Sequence, residues 1–315
     1  MSGIFIAGMG AVSPAGWGTE NLFTARRERV LPVPQSLERP GWTQPLTVLR
    51  VPTMNPRPAW AAHPRMRRSA LISQFAMGAA VEALGNHTAS PLGIVFCTTC
   101  GCVNYSRRFY DEVLRDPTIA SPLLFPETVF NAPASHLSAV LGSAAANYTL
   151  VGDTGVFLHG LALAAGWLES GRVERCLVVA AEEVDWIIAD ALRHFRKSAI
   201  LAEGAGAVLL TREQTPNTCA ELECVTDPEP FADRTDKAAR AAALQRVVVA
   251  LPAASVATTE FTQLGEAFSA GTVWRVLAAI HSAQQNRHER ATVVVPGAYQ
   301  EAIGASFTIP RATLT

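Results

Sequence analysis

The chain has 315 residues, 49% hydrophobic and 17% charged, enough apolar surface for one large core or two fused ones and too few charges for a disordered protein. Lys and Arg number 26 against 27 Asp and Glu, a formal net charge of -1, so no overall field draws nucleic acid or an anionic membrane. The apolar opening lacks a basic leader and is broken at Gly8, Gly10 and Pro14, and no later apolar run is long enough to span a bilayer, so a cytoplasmic location with reduced cysteines is expected.

Short runs of Val, Ile and Leu alternate with longer amphipathic stretches, a pattern that predicts an α/β fold with strands buried between helical layers. A first strand is read at 4–7, followed by a Pro-, Trp- and Arg-rich stretch at 26–65 that is expected to run irregularly over the surface. Next come a helix at 69–84, a strand at 93–97, helices at 105–114 and 134–141, and a strand at 148–151. A helix at 156–170, a strand at 176–180, a helix at 186–194 and a strand at 205–210 follow. Gly85, Gly142 and Gly171 stand where helices stop. A polar stretch at 211–218 divides an N-terminal half, 1–212, from a shortened C-terminal half, 213–315, within one compact unit. In the second half a helix is predicted at 237–246, a strand at 247–251, a helix at 270–282 and strands at 291–295 and 306–309.

Two motifs invite chemistry that their context does not support. Gly8-x-Gly10 lacks the third glycine of a dinucleotide fingerprint, and Ser13-Pro14 stands where its helix would begin. Cys97-x-x-Cys100-x-Cys102 has no second Cys or His pair to complete a zinc site, so buried, inert thiols are the favoured reading and neither metal nor cofactor is expected.

The segment from Ile6 to Pro14, IAGMGAVSP, resembles the opening strand and glycine turn of β-ketoacyl synthases. The resemblance continues in order through Arg65-Met66-Arg67-Arg68, Ser121-Pro122-Leu123-Leu124-Phe125-Pro126, Asn131-Ala132-Pro133-Ala134 and the run EGAGAVLL from Glu203 to Leu210. It implies a thiolase-like layered αβαβα fold, shortened, with two related halves. Where the family places its nucleophilic cysteine at the start of a buried helix, the matching turn Gly152-Asp153-Thr154-Gly155 puts Thr154. The same matching puts Leu251 at the first catalytic histidine, Glu266 at the second and Phe261 at the lysine. The glycine-rich gating loop corresponds to Gly297-Ala298-Tyr299-Gln300-Glu301, where the new side chains would narrow or plug the acyl tunnel. Residues are also missing relative to the family between Asp185 and Glu203 and between Leu251 and Gly265.

A threonine hydroxyl is a much weaker acid than a thiol and needs a neighbouring base to attack a thioester, and the two histidines stabilise the enolate. The resemblance therefore implies a noncatalytic member, similar to the chain length factors that pair with active ketosynthases in fatty-acid or polyketide-type biosynthesis. One alternative is an acyltransferase or hydrolase built on Thr154 with Asp153 and His159, which requires an open polar cavity around the three. His159 follows Thr154 by five residues, off the spacing that shares a helix face, so a packing or hydrogen-bonding role is favoured for it; Glu266 as a base is disfavoured alongside. Another alternative is a homodimeric acyl-binding module. The strand at 148–151 resembles the element that crosses the family's two-fold axis, implying a homodimer or a heterodimer with an active ketosynthase. Arg65, Arg67, Arg68, Arg107, Arg108, Arg193, Arg196 and Lys197 form basic clusters that fit either an acyl carrier protein or, at least as well, ordinary solvated helix faces.

Overall fold

The computed structural model describes residues 3–87, 91–252 and 262–310. Strand β1 (Phe5–Ser13) turns through β2 (Gly16–Trp17) into helix α1 (Thr19–Glu28), then β3 (Gln35–Leu37), β4 (Leu46–Leu49) and helix α2 (Leu71–Leu84). Next come β5 (Leu92–Thr98), α3 (Val103–Arg115), α4 (Ala132–Leu141), β6 (Asn147–Val151) and α5 (Val156–Glu169). β7 (Arg175–Glu182), α6 (Trp186–Phe195), β8 (Leu201–Ala202) and β9 (Gly204–Thr211) lead to the second half. That half holds β10 (Ala220–Val225), β11 (Glu229–Pro230), α7 (Lys237–Ala250), α8 (Phe268–Gln285), β12 (Arg290–Val295) and β13 (Glu301–Thr308).

The main sheet runs β11-β13-β10-β1-β9-β7-β5-β6, with β12 on β13 and β2 on β1. β5 pairs in parallel with β6 and β7, whereas β9 is antiparallel to both β7 and β1. A small second sheet, β3-β4-β8, lies apart from it.

Successive side chains of a strand point to opposite faces, and here both faces are covered. Val95, Val178 and Val208 join one apolar cluster with Phe157 and Leu161 of α5 and Trp274 of α8. Their neighbours Phe96, Val179 and Leu209 join a second cluster with Met77 of α2 and Leu137 of α4. From the second half, Leu222, Val293 and Phe307 close the far side of α5 and α8, while Val294 and Ala302 turn away to meet Ala243 and Val247 of α7. With the one sheet curled over, the layers are α2 and α4, then β5, β7 and β9, then α5 and α8, then β10, β12 and β13, then α7, the αβαβα arrangement that the resemblance implied.

The glycines of β1 serve this packing. A Cβ on Gly10 would stand 2.0 Å from the carbonyl oxygen of Ala79, and one on Gly8 1.9 Å from that of Ala83, so only glycine lets α2 lie against the strand.

Where the sequence predicts a strand at 247–251 the structure has the last turn of α7, with Leu251 as its C-terminal cap. Asp236 starts that helix by accepting from the N–H groups of Ala238 and Ala239, and the Ala-rich run carries it onward. Val247 is buried while Val248 and Val249 face out, an orientation set by helical period and not by strand alternation. The sequence reading also omits α1 and β10, although Ala220 and Leu222 alternate inward with the outward Glu221 and Glu223. Among the described residues, no helix is long and apolar enough to cross a membrane.

Candidate functional site

Strand β6 and helix α5 are joined by the turn Gly152-Asp153-Thr154-Gly155, which the main sheet delivers to the start of a buried helix. Both polar side chains of the turn are buried. The Asp153 carboxylate accepts hydrogen bonds from four backbone N–H groups: Thr154 at 2.7 Å, Ala298 at 2.8 Å, and Tyr299 and Gln300 at 2.9 Å each. Burial pushes this carboxyl up, but the four donors outweigh burial and leave it below the usual carboxylate range. Asp153 is thus an ionised clamp that ties the turn to the loop before β13. Gly297 opens that loop with φ at 65°, and a Cβ there would stand 2.9 Å from the carboxylate and 1.8 Å from the Glu301 carbonyl oxygen.

Thr154 is held by its own backbone, its carbonyl accepting from the Thr272 hydroxyl of α8 at 2.6 Å. Its hydroxyl meets neither the Asp153 carboxylate nor His159. His159 Nε2 lies 2.5 Å from Glu301 Oε1, in a half-exposed pair on the rim of β13. The three residues that a hydroxyl-based mechanism would combine are close in sequence but engaged elsewhere, and no nucleophile–base contact forms.

Glu266 pairs with Arg196 and also accepts from the Phe268 N–H at 2.9 Å, so it caps α8. Its backbone bridges to Ile200 and Ala202, fixing this corner against β8. Phe268 is buried at φ 44°, in a cluster against which Cys100, Trp186 and Tyr299 pack. Tyr299 therefore lies inward, half-buried, with its hydroxyl pushed up by burial and by the nearby Cys100, Asp153 and Glu266. Leu251 packs with Val247 and over Gly304 on the outer side of β13, a placement that removes the strand on which its match to the first histidine was based. Phe261 lies outside the described residues.

Cys97 and Cys102 are fully buried, and Cys100 partly so, and burial pushes all three thiols up, with the charge of Glu182 adding to the effect. Such shifts favour the protonated thiol over the nucleophilic thiolate.

A group of buried acids escaped the sequence reading. Glu182 ends β7 and Glu183 follows it, and both carboxyls are pushed up by burial, to about 7, although hydrogen bonds pull the other way. Glu182 accepts from the N–H groups of Thr99 at 2.6 Å and Cys100 at 3.0 Å and from the Ser269 hydroxyl at 2.5 Å. Glu183 accepts from Asn104 and Ile72, and Asp185 holds Arg107 at 2.7 Å. The signal was present as two charges directly after the apolar run Val178 to Ala181, where a strand end should be dry.

Of the eight basic residues read as a carrier-protein patch, Arg107, Arg108, Arg193 and Arg196 carry ion pairs within the chain. Arg65, Arg67, Arg68 and Lys197 are exposed. Strand β6 is the sheet edge, with Tyr148 and Val151 each about half exposed.

A family model described as 3-oxoacyl-[acyl-carrier-protein (ACP)] synthase III matches residues 153–228, beginning at the clamp. Among solved structures, the chain is similar to the ishigamide ketosynthase/chain length factor, with TM-score 0.78 and 20% identity over 98% of this chain and 99% of that one. It is similar to a β-ketoacyl synthase from Burkholderia phymatum STM815, with TM-score 0.77 and 13% identity over 98% and 99%. A third similar structure is a type II PKS acyl-carrier protein in complex with its ketosynthase bound to the hexaketide, with TM-score 0.74 and 14% identity over 98% and 99%. No curated protein matches.

Proposed function

From a thiolase-like ketosynthase fold whose nucleophile turn is tied shut, we infer that this chain is a noncatalytic ketosynthase-like protein. It acts as the partner of an active ketosynthase, or of an acyl carrier protein, in fatty-acid or polyketide-type biosynthesis. The observation that carries this reading is the use of Asp153. A carboxylate engaged by four backbone donors cannot serve as a base, and its negative charge beside Thr154 opposes the oxyanion that acyl transfer would create there. The half-buried Tyr299, whose N–H is held by Asp153 and whose ring packs in the cluster of Phe268, supports it.

The partner role draws support from the similar folds of a ketosynthase/chain length factor and of a ketosynthase bound to its carrier protein. It is consistent with the half-covered edge strand β6, whose free side offers backbone groups for a second chain, either an active ketosynthase or another copy. Division into related halves, 1–212 and 213–315, belongs to the same reading.

The test is acyl transfer and thioester hydrolysis by the purified chain alone, by a candidate ketosynthase alone, and by the two co-expressed. We expect no turnover by this chain and co-purification with the ketosynthase. Turnover by the chain alone that disappears in Thr154→Ala would overturn the noncatalytic reading.

A further inference from the structure

A separate cleft opens between α2 and the Pro- and Trp-rich stretch that precedes it. Its volume is about 560 Å³, within the range of small-molecule sites, and its lining includes Trp17, Trp60, Phe75, Leu71, Arg50 and Arg57. The aromatic wall is fixed in place by the chain itself. Trp17 Nε1 donates to the Pro52 carbonyl at 2.7 Å, and Gly78 of α2 makes room for the indole, since a Cβ there would stand 2.4 Å from Cζ3. The Trp17 ring lies 6.4 Å from that of Trp60 and 5.9 Å from that of Phe75, both tilted. Such a wall needs little ordering when an apolar group arrives.

Charge decides what the apolar group should carry. Arg57 is exposed, donates to the Ala61 carbonyl at 3.1 Å and has no carboxylate partner among the described residues. Arg50 reaches Glu203 at 3.3 Å through a single nitrogen, and that buried carboxylate also accepts from the N–H groups of Val51 and Val184. Two guanidinium groups against one carboxylate leave one positive charge in excess. Aromatic faces alone would attract a cation, but this excess repels one. A guanidinium fork matches carboxylate and phosphate alike.

We propose that this cleft binds an amphipathic organic anion, its apolar or aryl body against Trp17, Trp60 and Phe75 and its carboxylate or phosphate on Arg57 and Arg50. The site stands apart from the Asp153 turn and does not depend on whether the chain is catalytic.

Calorimetric titration of the whole chain with 2-naphthoate, 2-naphthyl phosphate and neutral 2-naphthamide tests it. At least one anion should bind about tenfold or more tighter than the amide, and the tighter anion identifies the head group. Arg57→Gln, at an exposed side chain, should bring the anion down to the level of the amide, whereas Trp60→Ala should weaken all three. A thermal melt of each variant checks that the fold is kept. The proposal is overturned if amide and anions bind alike, if Arg57→Gln binds the anion unchanged, or if no probe binds at about 1 mM, the concentration at which even a weak site of about 4 kcal/mol would fill by half.

Discussion

Asp153 accepts four backbone N–H groups with one side chain, and replacing it tests how much of the corner depends on that carboxylate. Asp153→Asn keeps one acceptor and turns an NH2 toward donors, a change expected to cost about 2–4 kcal/mol in urea unfolding at neutral pH. Its folded pKa lies below the unfolded value, so the stability it confers is present above the ordinary carboxylate range and disappears as pH falls through the lowered value. The gap between wild type and Asp153→Asn should accordingly close in acid; a constant gap would count against the ionised clamp. Glu182 behaves in the opposite sense. Its carboxyl titrates near 7 in the fold, so the native state holds a proton that the unfolded chain releases from about pH 4.5 upward. Glu182 should contribute a decline on the order of 3 kcal/mol between about pH 4.5 and 7, levelling off above, and Glu182→Gln should remove that share while the share of Glu183 remains. Identical slopes in the two proteins would refute the assignment. Of these two residues the sequence pointed only to Asp153, through the resemblance of its turn to that of β-ketoacyl synthases. Glu182 gains its meaning from donors on Thr99, Cys100 and Ser269, brought together only by folding.

Strand β1 and helix α2 approach so closely that side-chain volume at the contact is excluded, and Gly10→Ala would drive a methyl into the Ala79 carbonyl. We expect a loss of several kcal/mol or insoluble protein, seen as a fall in the yield of folded chain. Wild-type yield and midpoint for this variant would mean that the strand and helix can separate freely. On the far edge of the sheet, Val151→Lys places a charge on β6 without touching the core. It should weaken self-association or pairing with a ketosynthase by about tenfold in sedimentation while leaving the melting temperature nearly unchanged. Strands β5, β7 and β9, read from the sequence to within two residues at either end, are buried on both faces and stand out as apolar runs. Helix α7 was harder to see because its last turn holds three consecutive valines, and β-branching alone suggests a strand. Only the alanines before them and the Asp236 cap reveal that the helix continues.

At the scale of the whole molecule, the layered order was legible because each layer leaves a period in the sequence, 2 for strands and 3.6 for helices. Contacts between layers leave no such mark, which is why the union of the Tyr299 loop with Asp153 could not be read from the sequence. A partner that binds only the folded chain also stabilises it, by about 2.7 kcal/mol at a concentration 100 times Kd. Mixing the chain with a matching ketosynthase should therefore raise its melting temperature; unshifted melts across a broad concentration range would speak against pairing. The clamp at Asp153 has a further consequence for any substitution in its turn. A cysteine written at Thr154 would lie beside a carboxylate whose charge raises the thiol's pKa, yet deleting that carboxylate would free the backbone at 298–300 that it holds. Placing a reactive thiol there thus requires a second anchor for residues 298–300 before the first is cut.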